Sequence, residues 1–343
     1  MLKKIALVFS LLLLSVTAAS AASFDCAKAS TAFEQAICAY PELSTQDEIL
    51  AKAYATALGG LSKPASAIVQ QGQRGWLDFA ERACTDDAQP QSDAYDQDDV
   101  SCLSQLFSSR IRWLEESRMR SGRRIYQLDR YIVMPDPDAA ADSWNKVATK
   151  AFSSPRIDGT DAEARAFNAM MDRLTAEYGY FSGQSGADVD PETDASSDAQ
   201  VQATLDSVTG ERISLVVNDW WYGHGAAHGN YAITYVHFLT GENRMLEASD
   251  VFGGDAWQRP LAELAVTELN RTIEGGIWEN SEQTVAEAVA DPARWNFSDT
   301  GLVLQFQPYE VTAYAYGAPT VTIPWEALRE HMTERADAIV STY

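Results

Sequence analysis

The sequence predicts a two-domain protein, a small disulfide-tied all-α N-terminal domain followed by an α+β domain with an antiparallel sheet. Three observations predict it. All four cysteines fall between positions 26 and 102, in a stretch whose apolar residues recur at helical spacing. Beyond about residue 123 the pattern mixes strand-like alternation with further helical runs. The 343-residue length suits two domains at roughly 100–200 residues each. A hydrophobic content of 46% is enough to bury real cores and excludes a disordered acidic chain.

Met1–Ala21 reads as an export signal. Lys3 and Lys4 supply the charged start, Ile5–Leu14 a short apolar run, and Ala19-Ser20-Ala21 the small residues a peptidase accepts. The apolar run is shorter than the ~20 residues of a spanning helix. Cys26 follows Ser23-Phe24-Asp25, which does not fit a lipoprotein spacing. The expected mature chain is periplasmic or secreted, without a membrane anchor, in a compartment that permits disulfides.

Residues 22–122 form the expected helical domain. Thr31 and Glu34 fit a capping box for a helix to about Cys38, and Pro41 breaks it. Ser44 is the expected cap of a second helix carrying Leu50, Ala53, Tyr54, Ala57 and Leu58, ended by Gly59-Gly60. A third helix carries Ile68, Val69, Trp76 and Ala80, and a fourth Leu103, Leu106, Phe107, Ile111 and Leu114. Between them, Thr85–Asp99 holds six aspartates and no base, a solvated loop. Four cysteines allow three connectivities. The local pairs Cys26–Cys38 and Cys84–Cys102 are favoured, one tying the entry segment to the first helix, the other closing the acidic loop. A metal site is the rival reading, weakened by the lack of C-x-x-C and of histidine here.

Residues 123–343 form the expected α+β domain. Leu128–Met134 reads as a strand. Thr160 and Glu163 fit a capping box for a helix with Phe167, Met170, Met171, Leu174 and Tyr178 on one face. Ala187–Ala199, with five acids and no base, reads as a loop. Strands follow around Ile213–Val217 and Tyr231–Phe238, with Thr240-Gly241 as a turn. Asp255 is the expected cap of a helix bearing Trp257, Leu261, Leu264 and Ala265. Leu302–Phe306 and Thr320–Ile323 read as late strands, and Pro324 opens a final helix through Trp325, Leu328, Met332, Ala336 and Ile339.

Two resemblances carry the functional reading. Phe24-Asp25-Cys26-Ala27-Lys28-Ala29, Ala36-Ile37-Cys38-Ala39, Pro41-Glu42-Leu43 and Asp47 precede Gln73-Arg74-Gly75-Trp76-Leu77, Cys84, Cys102-Leu103 and Arg110-Ile111. Over about 24–115 this resembles the N-terminal domain of the LprI lysozyme-inhibitor family. Over about 150–330 the chain resembles the extracellular domain of RsiV-type anti-sigma factors, a lysozyme receptor. The matching stretches are Pro155–Gly159, Gly225-Ala226-Ala227-His228-Gly229-Asn230, Ser249-Asp250-Val251-Phe252, Gly301–Phe306 and Pro308-Tyr309-Glu310-Val311, continuing to Tyr314–Gly317. Both resemblances imply the same partner, a basic c-type lysozyme. The chain shows no sigma-binding segment and no spanning helix, so the resemblance implies binding without signalling.

The candidate partner-binding residues are Trp220, Trp221, Tyr222, His224 and His228, in an aromatic and glycine-rich turn between two strands, with Tyr309 and Glu310 as a second patch. Aromatics dominate binding hot spots, and glycines let a backbone approach a partner. Trp221 could instead be core and the glycines serve a hairpin bend. His224 and His228 have the i, i+4 spacing of a helical zinc pair. They lie between strands without an intervening general-base Glu, and His237 or Glu247 would have to complete the set. No metal and no cofactor are expected.

No enzyme is expected, since no nucleophile elbow or phosphate-binding loop appears. The alternative is a non-catalytic glycan binder of the cell envelope, with some of the nine tryptophans as sugar platforms. Trp76, Trp113, Trp257 and Trp325 fit core-facing helix positions instead.

The formal net charge is −23, which argues against nucleic acid. Removal of the signal would make it −25. Residues 22–125 hold 11 bases and 15 acids, and 126–343 hold 13 bases and 34 acids. The acidity therefore belongs to the second domain, where a basic partner is expected to dock. Arg110, Arg112, Arg118, Arg120, Arg123 and Arg124 are read as a basic end to the fourth helix.

Overall fold

A computed structural model describes residues 22–178 and 195–342. The expected signal and most of the acidic Ala187–Ala199 stretch lie outside the described residues. Helices α1 (Ala32–Ala39), α2 (Pro41–Leu58), α3 (Lys63–Ala83) and α4 (Gln97–Glu115) form the N-terminal unit. Cys26–Cys38 and Cys84–Cys102 are its two disulfides. The Thr31/Glu34 box caps α1, each side chain meeting the other residue's backbone N–H at 3.1 Å. Pro41 does separate the first two helices, since α1 ends at Ala39, but the cap expected at Ser44 is corrected. Pro41 is the first residue of α2, where its missing N–H costs nothing, and Ser44 is buried inside that helix. The end of the acidic loop is also helical, because Asp96 and Asp99 form a capping box for α4. That helix stops at Glu115. Arg118–Arg124 lie instead on the hairpin of β1 (Met119–Arg120) and β2 (Arg123–Pro135), so they are no helical end.

The main sheet has seven strands in chain order: β1, β2, β3 (Val147–Ile157), β4 (Ser197–Val208), β5 (Arg212–Gly223), β6 (Asn230–Leu239) and β7 (Arg244–Met245). Every neighbour is antiparallel except the pair β3–β4. A parallel pair needs a crossover, and α5 (Ala162–Glu177) lies between these strands in the chain. Its cap is Asp161, which accepts from Ala164 N at 2.9 Å, and not Thr160. Glu163 turns away to pair with Arg123 at 2.9 Å. α5 packs through Phe167, Met170 and Met171 on Phe152, Val201, Leu215 and Phe238.

The helical unit shares a core with the sheet. Trp76 and Phe107 meet edge to face at 5.0 Å in a cluster that also holds Tyr126, Val133 and Val147 of β2 and β3. Helix α3 approaches β2 closely because Gly72 faces Asp129, where even a Cβ would lie 3.4 Å from the carboxylate. Beneath it lies a buried polar network. Arg110 pairs with Asp129, donates to Gln73 at 3.0 Å and to the Tyr131 hydroxyl at 3.1 Å, and Ser153 donates to Asp129 at 2.7 Å.

The remaining chain forms a lobe with its own core. It holds α6 (Ala248–Val251), α7 (Gln258–Thr272), α8 (Glu282–Ala290), a three-stranded antiparallel sheet of β8 (Trp295–Phe297), β9 (Gly301–Gln305) and β10 (Thr320–Pro324), then α9 (Trp325–Leu328) and α10 (Ala336–Val340). Asp255 does not cap α7 with its side chain; Trp257 occupies the cap. The expected single final helix is two short ones. Met332 bridges to Phe252, and Thr333 N donates to Val251 O at 2.9 Å, which draws the intervening chain out of helical geometry.

Candidate partner-binding site

The candidate residues gather at one end of the large sheet, on the β5–β6 hairpin and what it touches. Trp220 and Tyr222 are two apart on β5 and so share a face. Their rings are nearly parallel at 6.3 Å. Trp220 and Trp221 are both about two-fifths exposed, so Trp221 is not core. Gly229 sits against Trp220, where a Cβ would come within 2.9 Å of the indole nitrogen. The two sequence patches meet through His228. Its ring stacks on Tyr314 at 4.1 Å, and its Nε2 lies 3.3 Å from the Tyr309 hydroxyl. Tyr314 also donates to Gly229 O at 2.7 Å. Tyr309 is half-exposed and holds a left-handed φ of 64°, a conformation that costs a non-glycine residue of order 1–3 kcal/mol. Glu310 is differently placed. It pairs with Arg294 at 2.8 Å and accepts from Gln307 N at 2.6 Å, so it holds the turn rather than facing outward.

His224 also points inward. Its side chain is 6% exposed, with Nδ1 at 2.6 Å from Asp136 and Nε2 at 3.4 Å from Asp198. Contacts with His224 and Ser196 hold the Asp136 carboxyl below the usual range against the opposing effect of burial. His224 thus ties the hairpin to the β2–β3 connection and to β4. It does not join His237, which is buried between the Ser214 hydroxyl and Trp295 O, each at 2.8 Å. Glu247 accordingly serves a capping box at the start of α6. Among the described residues no group of three His, Cys, Asp or Glu side chains is arranged to hold a metal.

Beside the hairpin lies a cleft of about 670 Å³ between the helical unit and the β2–β3 connection. Asp86, Asp96, Asp98, Asp99, Asp142 and Asp198 line it, against one base, Lys146, which pairs with Asp86 at 2.6 Å. Trp144 stands at its rim, 95% exposed. Asn145 of the same wall lies 3.5 Å from the Tyr222 hydroxyl, so cleft and hairpin are continuous. Such a surface attracts a cation-rich partner and offers it aromatic anchors. Sequence reading missed Trp144, Asp142, Lys146 and Asp198. A tryptophan set in the turn-rich stretch 135–146 was the available signal.

Residues 26–114 match the family model of the lysozyme inhibitor LprI. Residues 249–326 match a second model, a protein family of unknown function (DUF3298). The chain therefore carries an LprI-type domain followed by a DUF3298 domain. A crystal structure of a DUF3298 family member from Bacteroides fragilis NCTC 9343 is similar at 16% identity and a TM-score of 0.49, covering 64% of this chain and 98% of that one. Another, from Pseudomonas aeruginosa PAO1, is similar at 14% identity and a TM-score of 0.43, covering 62% and 96%. No curated protein matches the chain. The two disulfides and the LprI-type domain suit an extracellular or periplasmic protein. No described helix is long and apolar enough to cross a membrane.

Proposed function

We propose that this is an exported, non-catalytic inhibitor of a basic c-type lysozyme, protecting the cell wall in the periplasm or outside the cell. The observation that carries the reading is the lysozyme-inhibitor match over 26–114. The acidic cleft and the aromatic hairpin beside it support it. A basic enzyme is steered toward the aspartates, and Trp144, Trp221 and Tyr222 supply anchor area. The resemblance of 150–330 to an RsiV-type receptor domain supports the same partner from the other half of the chain. Inhibition then consists of occupying or covering the enzyme's substrate cleft, which demands no covalent step.

The test uses the mature chain, lacking residues 1–21, with isolated cell walls and a panel of c-type lysozymes. The expected result is slowed lysis at near-stoichiometric ratios and a complex that weakens as salt is raised. Full-rate lysis and no complex at micromolar protein would overturn the reading.

A further inference from the structure

The large sheet has a second face besides the one that α5 covers. Val201, Ala203, Leu215 and Val217 turn toward α5. The residues between them turn the opposite way, because side chains alternate along a strand. Strand register sets these in rows. Gln200, Trp220 and Tyr231 form one row across β4, β5 and β6, and Gln202, Asn218 and Ile233 form the next. Directly opposite side chains start about 5 Å apart, so each row is a contiguous strip. Two banks border the rows. On one side, Ser109 and Trp113 of α4 meet Gln200 and Trp220 around a small cavity of about 100 Å³. On the other, the Gln307 side chain bonds both backbone groups of Ile233, at 2.8 and 2.7 Å, and the Tyr314 ring meets Tyr231 edge to face. Between the banks Gln200, Asn218 and Trp220 are exposed, and the other three residues are half-buried.

The makeup of this floor selects its ligand. In a chain that is 22% charged, neither row holds an acid or a base. Asp219, between the rows on β5, lies on the α5 side near Tyr178. Asp206 of β4 lies past the bulge between Leu205 and Ser207 and faces Arg212 and Asn296. The amides of Gln200, Gln202 and Asn218 bond no other described residue, and each offers two donors and an acceptor. A cationic partner finds no carboxylate here, and an anionic one finds no base. An apolar helix would leave three covered amides unpaired, at about 1–3 kcal/mol each. An extended peptide is read through its backbone at a sheet edge, whereas these rows lie on a face. An uncharged sugar ring meets each condition. Its C–H face covers the Trp220 indole, and its hydroxyls both donate and accept, as the amides do.

We infer that these rows bind an uncharged oligosaccharide, stacked on Trp220 and held by the amides of Gln200, Gln202 and Asn218. None of these residues lines the acidic cleft, and the site does not depend on the lysozyme reading. Calorimetric titration of the mature protein with hexaacetylchitohexaose and with cellohexaose, at 20 and 300 mM salt, tests it. Saturable binding of at least one hexamer is expected, changed less than twofold by salt because the ligand carries no charge. Hexagalacturonate, of similar length but anionic, should bind at least tenfold more weakly. Trp220→Ala should weaken binding of the neutral hexamer tenfold or more. Asn218→Asp, which replaces the donors with a charge at an exposed position and so spares the fold, should do the same. Trp144→Ala, in the acidic cleft, should leave binding unchanged. No binding of either neutral hexamer at millimolar concentration, equal binding of hexagalacturonate, or binding indifferent to both Trp220→Ala and Asn218→Asp would overturn the inference. Because the probes are free sugars, the result is independent of whether lysozyme is inhibited.

Discussion

His237 shows how one buried residue sets a pH dependence. Burial, reinforced by the Arg212 charge, pushes its pKa down to about 3. The ring is therefore neutral, with Nε2–H donating to Trp295 O and Nδ1 accepting from the Ser214 hydroxyl. In the unfolded chain the imidazole takes up a proton as pH falls below about 6.5. The folded chain does not do so until about pH 3. The unfolded state thus binds more protons throughout that window, so stability is complete above about pH 6.5 and falls on acidification. The slope from this group approaches 1.4 kcal/mol per pH unit. Urea midpoints at pH 7 and pH 5 should show it, and His237→Gln should flatten the difference. Arg110 and Asp129 make a second residue-scale case. Asp129→Ala leaves a fully buried guanidinium without its counter-charge, a loss of about 3–5 kcal/mol by urea denaturation. Ser153→Ala removes one hydrogen bond to the same carboxylate and should cost about 1 kcal/mol.

At the scale of elements, the Cys84–Cys102 bridge closes the acidic loop between α3 and α4 with a sequence separation of 18. The chain-entropy account assigns about 3 kcal/mol to a loop of this size. The double variant Cys84→Ser with Cys102→Ser should lose about that much in thermal or urea unfolding. It should also weaken partner association, because both cysteines line the acidic cleft. The start of this loop was legible from its composition, as were the apolar stripes of α1 to α4 and the cap of α1, which are local signals; the caps of α2 and α4 were not. Strand β3 was not legible. It is buried along most of its length yet carries Lys150, Ser153 and Arg156, whose partners come from β4, β2 and α5. β4 alternates Ala199, Val201 and Ala203 inward, but the acidic stretch before it drew the reading toward a loop. The candidate site divides the same way. The hairpin aromatics share one sequence segment, while the cleft wall opposite joins Asp86, Asp142 and Asp198, which only the fold brings together.

For the whole molecule, the formal charge of −23 sets a long-range field, but the cleft decides where it is useful. Opposite charges on an oncoming partner act over about a Debye length, about 10 Å at 0.1 M salt and 3 Å at 1 M. Steering therefore enters the association rate more than the dissociation rate. A basic lysozyme should bind several-fold to tens of times faster at 20 mM than at 300 mM salt. Asp86→Lys with Asp142→Lys reverses two exposed charges of the cleft. Asp86 has only a surface pair with Lys146 to lose, which contributes little to folding. The double variant should keep its unfolding midpoint while its association rate and salt dependence both drop. Stopped-flow or surface-binding kinetics at two salt concentrations separate the cases. A variant that associates as fast as the native chain would place the contact outside this cleft, even if inhibition itself held. An association rate independent of salt would remove electrostatic steering from the account altogether and leave the aromatic hairpin as the sole anchor.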